Sequence, residues 1–378
     1  MAYHSTILRQ IVAFLPRHEF ESFAKDHHVG QKFRSFNRWS QFMVMFIGQL
    51  SGRKSLRDIV MNVSAQTNKL YHLAIKPCSR ATLARVNEKQ PASLYEAIFH
   101  KLLKQCRQFA PKHKFKFEGK LCLLDATVVD LCYSVFPWAK FRKAKGAIKL
   151  HVGLDGGGYL PEFVSLTDGK THEIRWAKAL NLPRGSMAVF DMGFTDYGWY
   201  QTLMKNGVFF VTRLKSNAKI KHLRKRRGRK AAGITADQTI LLGNIPHPLR
   251  MVGYCDPETG KEYRFVTNAD HLGAKIIADL YKERWQIELF FKWIKQNLKI
   301  KTFLGTSKNA VLTQIWIALC VYLLLAFLKF KAKLGISMQQ MLRLLQLNLF
   351  ERRNLIELFK PPRPQPTDIV QFSLWAKL

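Results

Sequence analysis

Acidic side chains are scarce in this sequence: its 378 residues hold 26 Asp and Glu against 61 Lys and Arg, a formal charge of +35. That imbalance makes polyanions the expected partners, nucleic acid ahead of any small acidic metabolite. Cysteine is sparse too. Cys78, Cys106, Cys122, Cys132, Cys255 and Cys320 stand singly, with no Cys-x-x-Cys pair and no histidine cluster at ligand spacing. Neither structural zinc nor a disulfide framework is expected, and a reducing cytoplasm is. The N-terminal apolar stretch is broken by Arg9 and Gln10 and lacks a small-residue cleavage site, so it does not read as a signal peptide. No uninterrupted apolar run is long enough to span a bilayer. The most hydrophobic segment, Val311 to Phe330, contains Thr313 and Gln314 and ends among Lys329, Lys331 and Lys333, which predicts a buried core helix and no membrane partner. No internal repeat is visible.

What remains is ample for a packed protein. Apolar residues make up 47% and aromatics 12%, which rules out a basic disordered tail. The length suits two or three domains, or one domain with a large insertion. Residues 1–115 read as helical, with apolar spacing in Phe42 to Leu50 and Leu94 to Leu103. Between these, Ser55 to Val60 and Ser79 to Asn87 admit two readings. One is a helix-turn-helix whose second helix, capped by Ser79 and carrying Arg80 and Arg85, enters a major groove. The other is an ordinary bundle with a basic surface.

The texture changes at Lys120. Leu121 to Val129, Ala147 to Leu154 and Tyr159 to Leu166 read as three strands of an antiparallel meander, the last two joined through Asp155-Gly156-Gly157-Gly158. His172 to Leu180 (helix), Ser186 to Asp191 (strand), Tyr197 to Lys205 (helix) and Val208 to Arg213 (strand) complete a β-β-β-α-β-α-β order, an α/β class with a mixed sheet. Lys215 to Lys230 holds nine Lys or Arg, including Arg224, Lys225, Arg226 and Arg227, and reads as a solvated loop suited to phosphate contact. Further strands are expected around Thr239 to Leu242, Leu249 to Tyr254 and Glu262 to Thr267, then one long helix from Leu272 to Ile300 and an apolar helix from Lys308 to Lys331. Pro361 to Pro366 is expected as an extended arm. The divisions are a helical region suited to DNA binding (1–115), a first α/β core segment (116–214), a β-rich insertion with a basic loop (215–271), C-terminal core helices (272–332), and a C-terminal helix with a Pro-rich arm (333–378).

Two of the few carboxylates end apolar strands, Asp125 after Leu123-Leu124 and Asp191 after Val189-Phe190. A buried, unpaired charge is costly, so each needs a reason: hydrogen-bond capping of the following turn, or a shared site if the two strands are neighbours. A third acidic element lies on the long helix. Tyr281, Arg284, Glu288 and Lys295 fall within roughly 60° of one another at about 100° per residue. Beside them Ile277, Leu280, Ile287, Phe291, Ile294 and Leu298 form an apolar face. Taken alone, Arg284 and Glu288 are a surface ion pair at i, i+4. Trp285 and Trp293 on this helix read as packing residues.

Tyr281-x2-Arg284-x3-Glu288-x6-Lys295, downstream of Asp125 and of the Asp191-x-Gly193-Phe194 block, resembles the signature of the insertion-sequence-four family of bacterial transposases over about residues 115–330. The resemblance implies a ribonuclease-H-like core with Asp125, Asp191 and Glu288 as a catalytic Asp-Asp-Glu triad. The triad would hold two Mg²⁺, replaceable by Mn²⁺, with Asp125 bridging the ions. It implies that Tyr281, Arg284 and Lys295 contact DNA phosphates, that Arg213 and Lys215 lie near the transposon end, and that a homodimer brings two element ends to target DNA. A cytoplasmic, nucleoid-associated location follows. Tyr254, Tyr263 and Phe265 supply aromatics in the insertion, but none can be matched to base flipping in a hairpin mechanism. The short stretch after Phe330 leaves no room for a large separate C-terminal dimerisation domain. The competing readings are a non-catalytic basic DNA-binding protein, in which the carboxylates are structural, and a ribonuclease-H-type nuclease.

Overall fold

In a computed structural model, residues 5–31, 35–132, 134–142, 145–226, 231–298, 300 and 303–360 are described. Arg227 and the Pro361 to Pro366 arm lie outside them. The N-terminal part contains α1 (Ile7–Val12), α2 (Arg17–Asp26), α3 (Arg38–Leu50), α4 (Leu56–Ala65), α5 (Thr67–Leu70), α6 (Arg80–Lys89) and α7 (Ser93–Arg107). Strands β1 (Leu121–Leu131), β2 (Lys140–Arg142), β3 (Lys145–Asp155) and β4 (Pro161–Asp168) follow. Next come α8 (Glu173–Lys178), β5 (Met187–Phe190), α9 (Tyr197–Lys205) and β6 (Phe209–Arg213), then β7 (Ile220–Lys225), β8 (Ile234–Leu242), β9 (Leu249–Cys255) and β10 (Glu262–Thr267). The chain continues through α10 (Ala274–Glu283), α11 (Trp285–Asn297), α12 (Lys308–Lys331), α13 (Met338–Asn348) and α14 (Leu355–Leu358).

Among the described residues the ten strands belong to one mixed sheet in the order β2-β3-β1-β5-β6-β10-β9-β8-β7, with β4 also paired to β3. The β1-β3-β4 meander is antiparallel, while β5 runs parallel to both β1 and β6. The insertion strands extend this sheet, because β10 pairs antiparallel with β6. Part of the expected basic loop is therefore ordered backbone. Ile220–Lys225 forms β7, the outermost strand, paired to β8 through a register shift at His222. An edge strand with Lys221, Arg224 and Lys225 among its six residues resists further pairing, which is why its composition resembles that of a loop.

Alternation along β1 separates two cores. Leu121 and Leu123 enter the large apolar cluster under α10–α12, whereas Cys122 and Leu124 enter a second one with Phe190, Trp199 and Tyr200. The apolar helix α12 lies inside the molecule, with nearly all of its middle buried. It packs against α3, α6 and α7. It is long and apolar enough to cross a membrane, but 89% of its most hydrophobic window is covered by protein. The N-terminal helices thus wrap a helix of the C-terminal segment.

Between the two N-terminal readings, the structure takes the bundle. Ser55 and Ser79 do cap α4 and α6 through Asp58 N–H and Thr82 N–H, both at 3.1 Å. However, α5 and a 3₁₀ turn at Tyr71–Leu73 separate these helices, where a helix-turn-helix has a turn of only about 3–4 residues. Leu83, Val86 and Asn87 of α6 are buried, and Asn309 at the start of α12 donates to the Asn87 carbonyl at 2.9 Å. Arg80 and Arg85 remain exposed.

Candidate functional site

The register of β1 against β5 fixes the first two carboxylates. Leu124 pairs with Phe190 on the parallel neighbour, so Asp125 and Asp191 follow side by side, one residue further along. There β5 ends and uncovers that edge of β1. Each aspartate also caps locally: Asp191 Oδ1 accepts from Gly193 N at 3.0 Å, and Asp125 Oδ1 from its neighbour Ala126 N at 2.8 Å. These bonds engage one oxygen apiece, so the capping role and the shared position coexist.

The third carboxylate comes from the helical side. The expected single long helix is two helices, α10 and α11, meeting at Arg284. There the ladder tightens to three-residue steps, Arg284 N to Tyr281 O and Ile287 N to Arg284 O, both at 3.1 Å. Buried anchors hold both sides of the joint, with Ile277 and Leu280 on α10 and Ile287, Phe291 and Ile294 on α11. Glu283 is buried as well, accepting from the Tyr159 hydroxyl and paired with Lys114. Arg284 then turns toward β1. Its guanidinium donates to Asp125 Oδ2 at 3.1 Å and to Glu288 Oε1 at 2.5 Å, with only 13% of the side chain exposed. Lys295, two turns beyond Glu288, donates to Thr127 Oγ1 at 2.5 Å and to the Val128 carbonyl at 2.9 Å, anchoring α11 along β1. Tyr281 packs its ring on Phe265 with centroids 4.7 Å apart, and the Arg284 guanidinium lies 5.6 Å from its centre.

Burial pushes the Asp125 carboxyl up to about 6. The Arg284 charge and the Ala126 N–H oppose this rise, while the charges of Glu173 and Asp191 add to it. Burial also raises the Tyr281 phenol, against the pull of Arg284. Among the described residues, no three Asp, Glu, His or Cys side chains already stand close enough to enclose an ion. Even so, the donor set suits a hard divalent cation. It is all carboxylate oxygen, and two of its members already share one cationic group, the Arg284 guanidinium.

A cavity of about 370 Å³ opens on this site, lined by Asp125, Thr127, Glu288, Lys292 and Lys295 among others. It shares Lys295 and Gln296 with a second cavity of about 300 Å³ that includes Arg53 and Lys54. That one shares Lys54 and Leu304 with a third, of about 410 Å³, at Arg57 and Arg80. Through these shared residues the three adjoin one another as a basic trough leading from the carboxylates toward the starts of α4 and α6.

The other sequence-predicted residues are dispersed. Arg213 ends β6 with its guanidinium 5.5 Å from the Tyr263 ring, on the Tyr281 side of the sheet, and Lys215 is exposed just beyond. Arg224 and Lys225 are exposed on β7, five strands from β5, roughly 24 Å at the usual strand spacing. Arg226 is engaged by Asp270 at 2.7 Å and Asp237 at 3.8 Å, so it does not present a free charge. Of the two tryptophans read as packing residues, Trp293 does pack, against Tyr322 at 5.4 Å, but Trp285 is 56% exposed. At about 100° per residue it lies on the side of the helix away from Leu280, Ile287 and Phe291, so it faces outward. Sequence reasoning passed over Glu173, whose carboxylate lies against Gly193 and pairs with Lys149 at 3.5 Å. Its signal was a further acidic residue opening a helix in an acid-poor chain.

Residues 116–324 match the family described as the transposase DDE domain, and residues 3–76 match a domain of unknown function. A Sinorhizobium fredii protein named as a transposase is 33% identical over 299 residues, covering 75% of this chain and 81% of its own length. A Geobacillus stearothermophilus protein, named as the transposase of an insertion sequence element, is 28% identical over 255 residues, with 66% and 67% covered. One from Synechocystis, similarly named, is 26% identical over 286 residues, with 72% and 78% covered.

Proposed function

Since this chain belongs to the bacterial insertion-sequence transposases carrying the DDE domain, we propose that it binds the ends of its element, cuts there, and joins the freed 3′-hydroxyls to target DNA. In this reading the mixed sheet is a ribonuclease-H-like core and Asp125, Asp191 and Glu288 are its catalytic triad. The observation that carries it is the convergence of strand and helix on one point. Asp125 and Asp191 share a level on neighbouring parallel strands, and Arg284 ties Asp125 to Glu288.

Two Mg²⁺, or Mn²⁺ in their place, would supply activation of the attacking hydroxyl and stabilisation of the departing oxygen in an in-line phosphoryl transfer. Asp125, Asp191 and Glu288 would hold them. Arg284 can grip a phosphate through its fork of donors once released from the carboxylates. Lys295 keeps α11 seated on β1 and adds positive charge to the trough, and Tyr281 presents its hydroxyl beside Arg284. The basic trough would carry the DNA backbone, giving affinity without sequence information. Two protomers acting on two ends would form the synapse, in the cytoplasm and on the nucleoid.

The test is cleavage of linear DNA that carries the element's own terminal repeats, in Mg²⁺. Asp125→Asn, Asp191→Asn and Glu288→Gln should each abolish strand cleavage and joining while leaving DNA binding within a few-fold of the wild type. Undiminished cleavage by any one of them refutes the triad.

A further inference from the structure

Glu173 occupies a position that the triad does not explain. It opens α8 after the turn that leaves β4, with 27% of its side chain exposed. Gly193, two residues past Asp191, donates its N–H to Asp191 Oδ1. A methyl group added at Gly193 would lie 3.1 Å from Glu173 Oε2, tighter than ordinary van der Waals contact. The backbone of Gly193 is not left-handed, so conformational freedom is not what the glycine provides there. It provides room for a carboxylate.

The Asp191-x-Gly193 block thus brings the Asp191 and Glu173 side chains against a single residue. The charge of Glu173 also bears on Asp125 more strongly than that of Asp191 does. The ion pair between Glu173 and Lys149 of β3 is long, at 3.5 Å. In a chain with 26 acidic residues and 61 basic ones, the strand ends bearing Asp125 and Asp191, the Arg284-linked Glu288 and the Gly193-facing Glu173 put four carboxylates around one end of the sheet. Like charges so placed repel unless a cation is bound among them.

We propose that Glu173 is a fourth carboxylate of the catalytic centre and shares a divalent cation with Asp125 and Asp191. The assignment rests on the triad reading and extends it. Lys149 holds the Glu173 carboxylate toward the site until the cation takes over that charge, and Gly193 keeps the path between Glu173 and Asp191 clear.

The test is Mn²⁺ binding to the full chain without DNA, followed by electron paramagnetic resonance of the free ion, for wild type, Glu173→Gln, Glu173→Asp and Asp125→Asn. Glu173→Gln should weaken Mn²⁺ binding by about tenfold or more, with Glu173→Asp intermediate because it keeps the charge on a shorter arm. Wild-type affinity in Glu173→Gln, alongside lost affinity in Asp125→Asn, overturns the proposal and leaves the triad standing. Wild-type affinity in both variants overturns the triad as well. Should Glu173→Gln fail to fold, Glu173→Asp decides alone: weakened binding supports the assignment and unchanged binding overturns it.

Discussion

The Arg284 guanidinium joins Asp125 of the sheet to Glu288 of α11, at 3.1 Å and 2.5 Å. One side chain from the joint between two helices therefore occupies the space between two carboxylates proposed to hold metal. The contact balances their charge, and in the proposed reading the arginine would give way to a divalent cation held by the same carboxylates.

Removing it should separate these two effects. Arg284→Gln leaves Asp125 without its cation in a partly buried site, and the metal-free protein should lose on the order of 2 kcal/mol. Added Mn²⁺ should then raise the melting temperature of the variant by more than that of the wild type. Calorimetry with and without the ion measures both. An equal rise in the two proteins would mean that Arg284 does not compete with metal.

A pH dependence follows from Asp125. Its carboxyl is pushed up to about 6 from an ordinary 3.8, so folding favours its protonated form. That contribution to stability is complete below about pH 4 and is lost as pH rises through about 6. Asp125→Asn cannot titrate. Across pH 4 to 7, metal-free melts should show the variant gaining on the wild type by on the order of 2 kcal/mol. Parallel profiles would show that the carboxyl titrates normally.

The strand register that pairs the aspartates depends on a close backbone approach. A Cβ on Gly119, just before β1, would lie 1.9 Å from the Gly185 carbonyl, just ahead of β5. Neither group is a flexible side chain. Gly119→Ala should therefore cost about 1–3 kcal/mol, read as a lower denaturant midpoint. The same substitution at Gly260, where a Cβ meets open space, carries only the strain of its positive φ.

The trough predicts where phosphates run. Arg57 and Arg80 line its far end, whereas Arg224 and Lys225 sit on the opposite edge of the sheet. Arg57→Ala with Arg80→Ala should lower the salt dependence of DNA binding by about two counterions, roughly one for each phosphate no longer neutralised. Arg224→Ala with Lys225→Ala should change it less. The reverse ranking would place the DNA on the insertion side.

Much of the sheet was legible in the sequence because β-branched, apolar runs such as Leu121 to Val129 have few alternatives. The helix carrying Glu288 was legible from its apolar face. Legibility failed where tertiary pairing overrides composition. Ile220–Lys225 is a strand only because β8 lies alongside it. The break at Arg284 arises where α10 and α11 dock on different strands, α10 against β6, β9 and β10 and α11 against β1. The wrapping of α12 by the N-terminal helices depends on pairings between residues far apart in the chain, as between Asn87 and Asn309. For the site, residue types and spacing alone left Asp125 and Asp191 as turn caps and Glu288 in a surface ion pair, and it was the resemblance to a family signature that singled the three out. For Glu173 the only signal was an acidic residue opening a helix in an acid-poor chain, because its neighbours are set by the β4–α8 turn and the glycine at position 193.

The central claim is that Asp125, Asp191 and Glu288 surround divalent metal. Anomalous diffraction from crystals of the full chain soaked in Mn²⁺ tests it most directly. The account predicts peaks between the three carboxylates, with the Arg284 guanidinium displaced from Asp125 and Glu288. Manganese found only elsewhere, with that guanidinium still bridging the two acids in crystals whose protein cuts DNA in the same buffer, would contradict it.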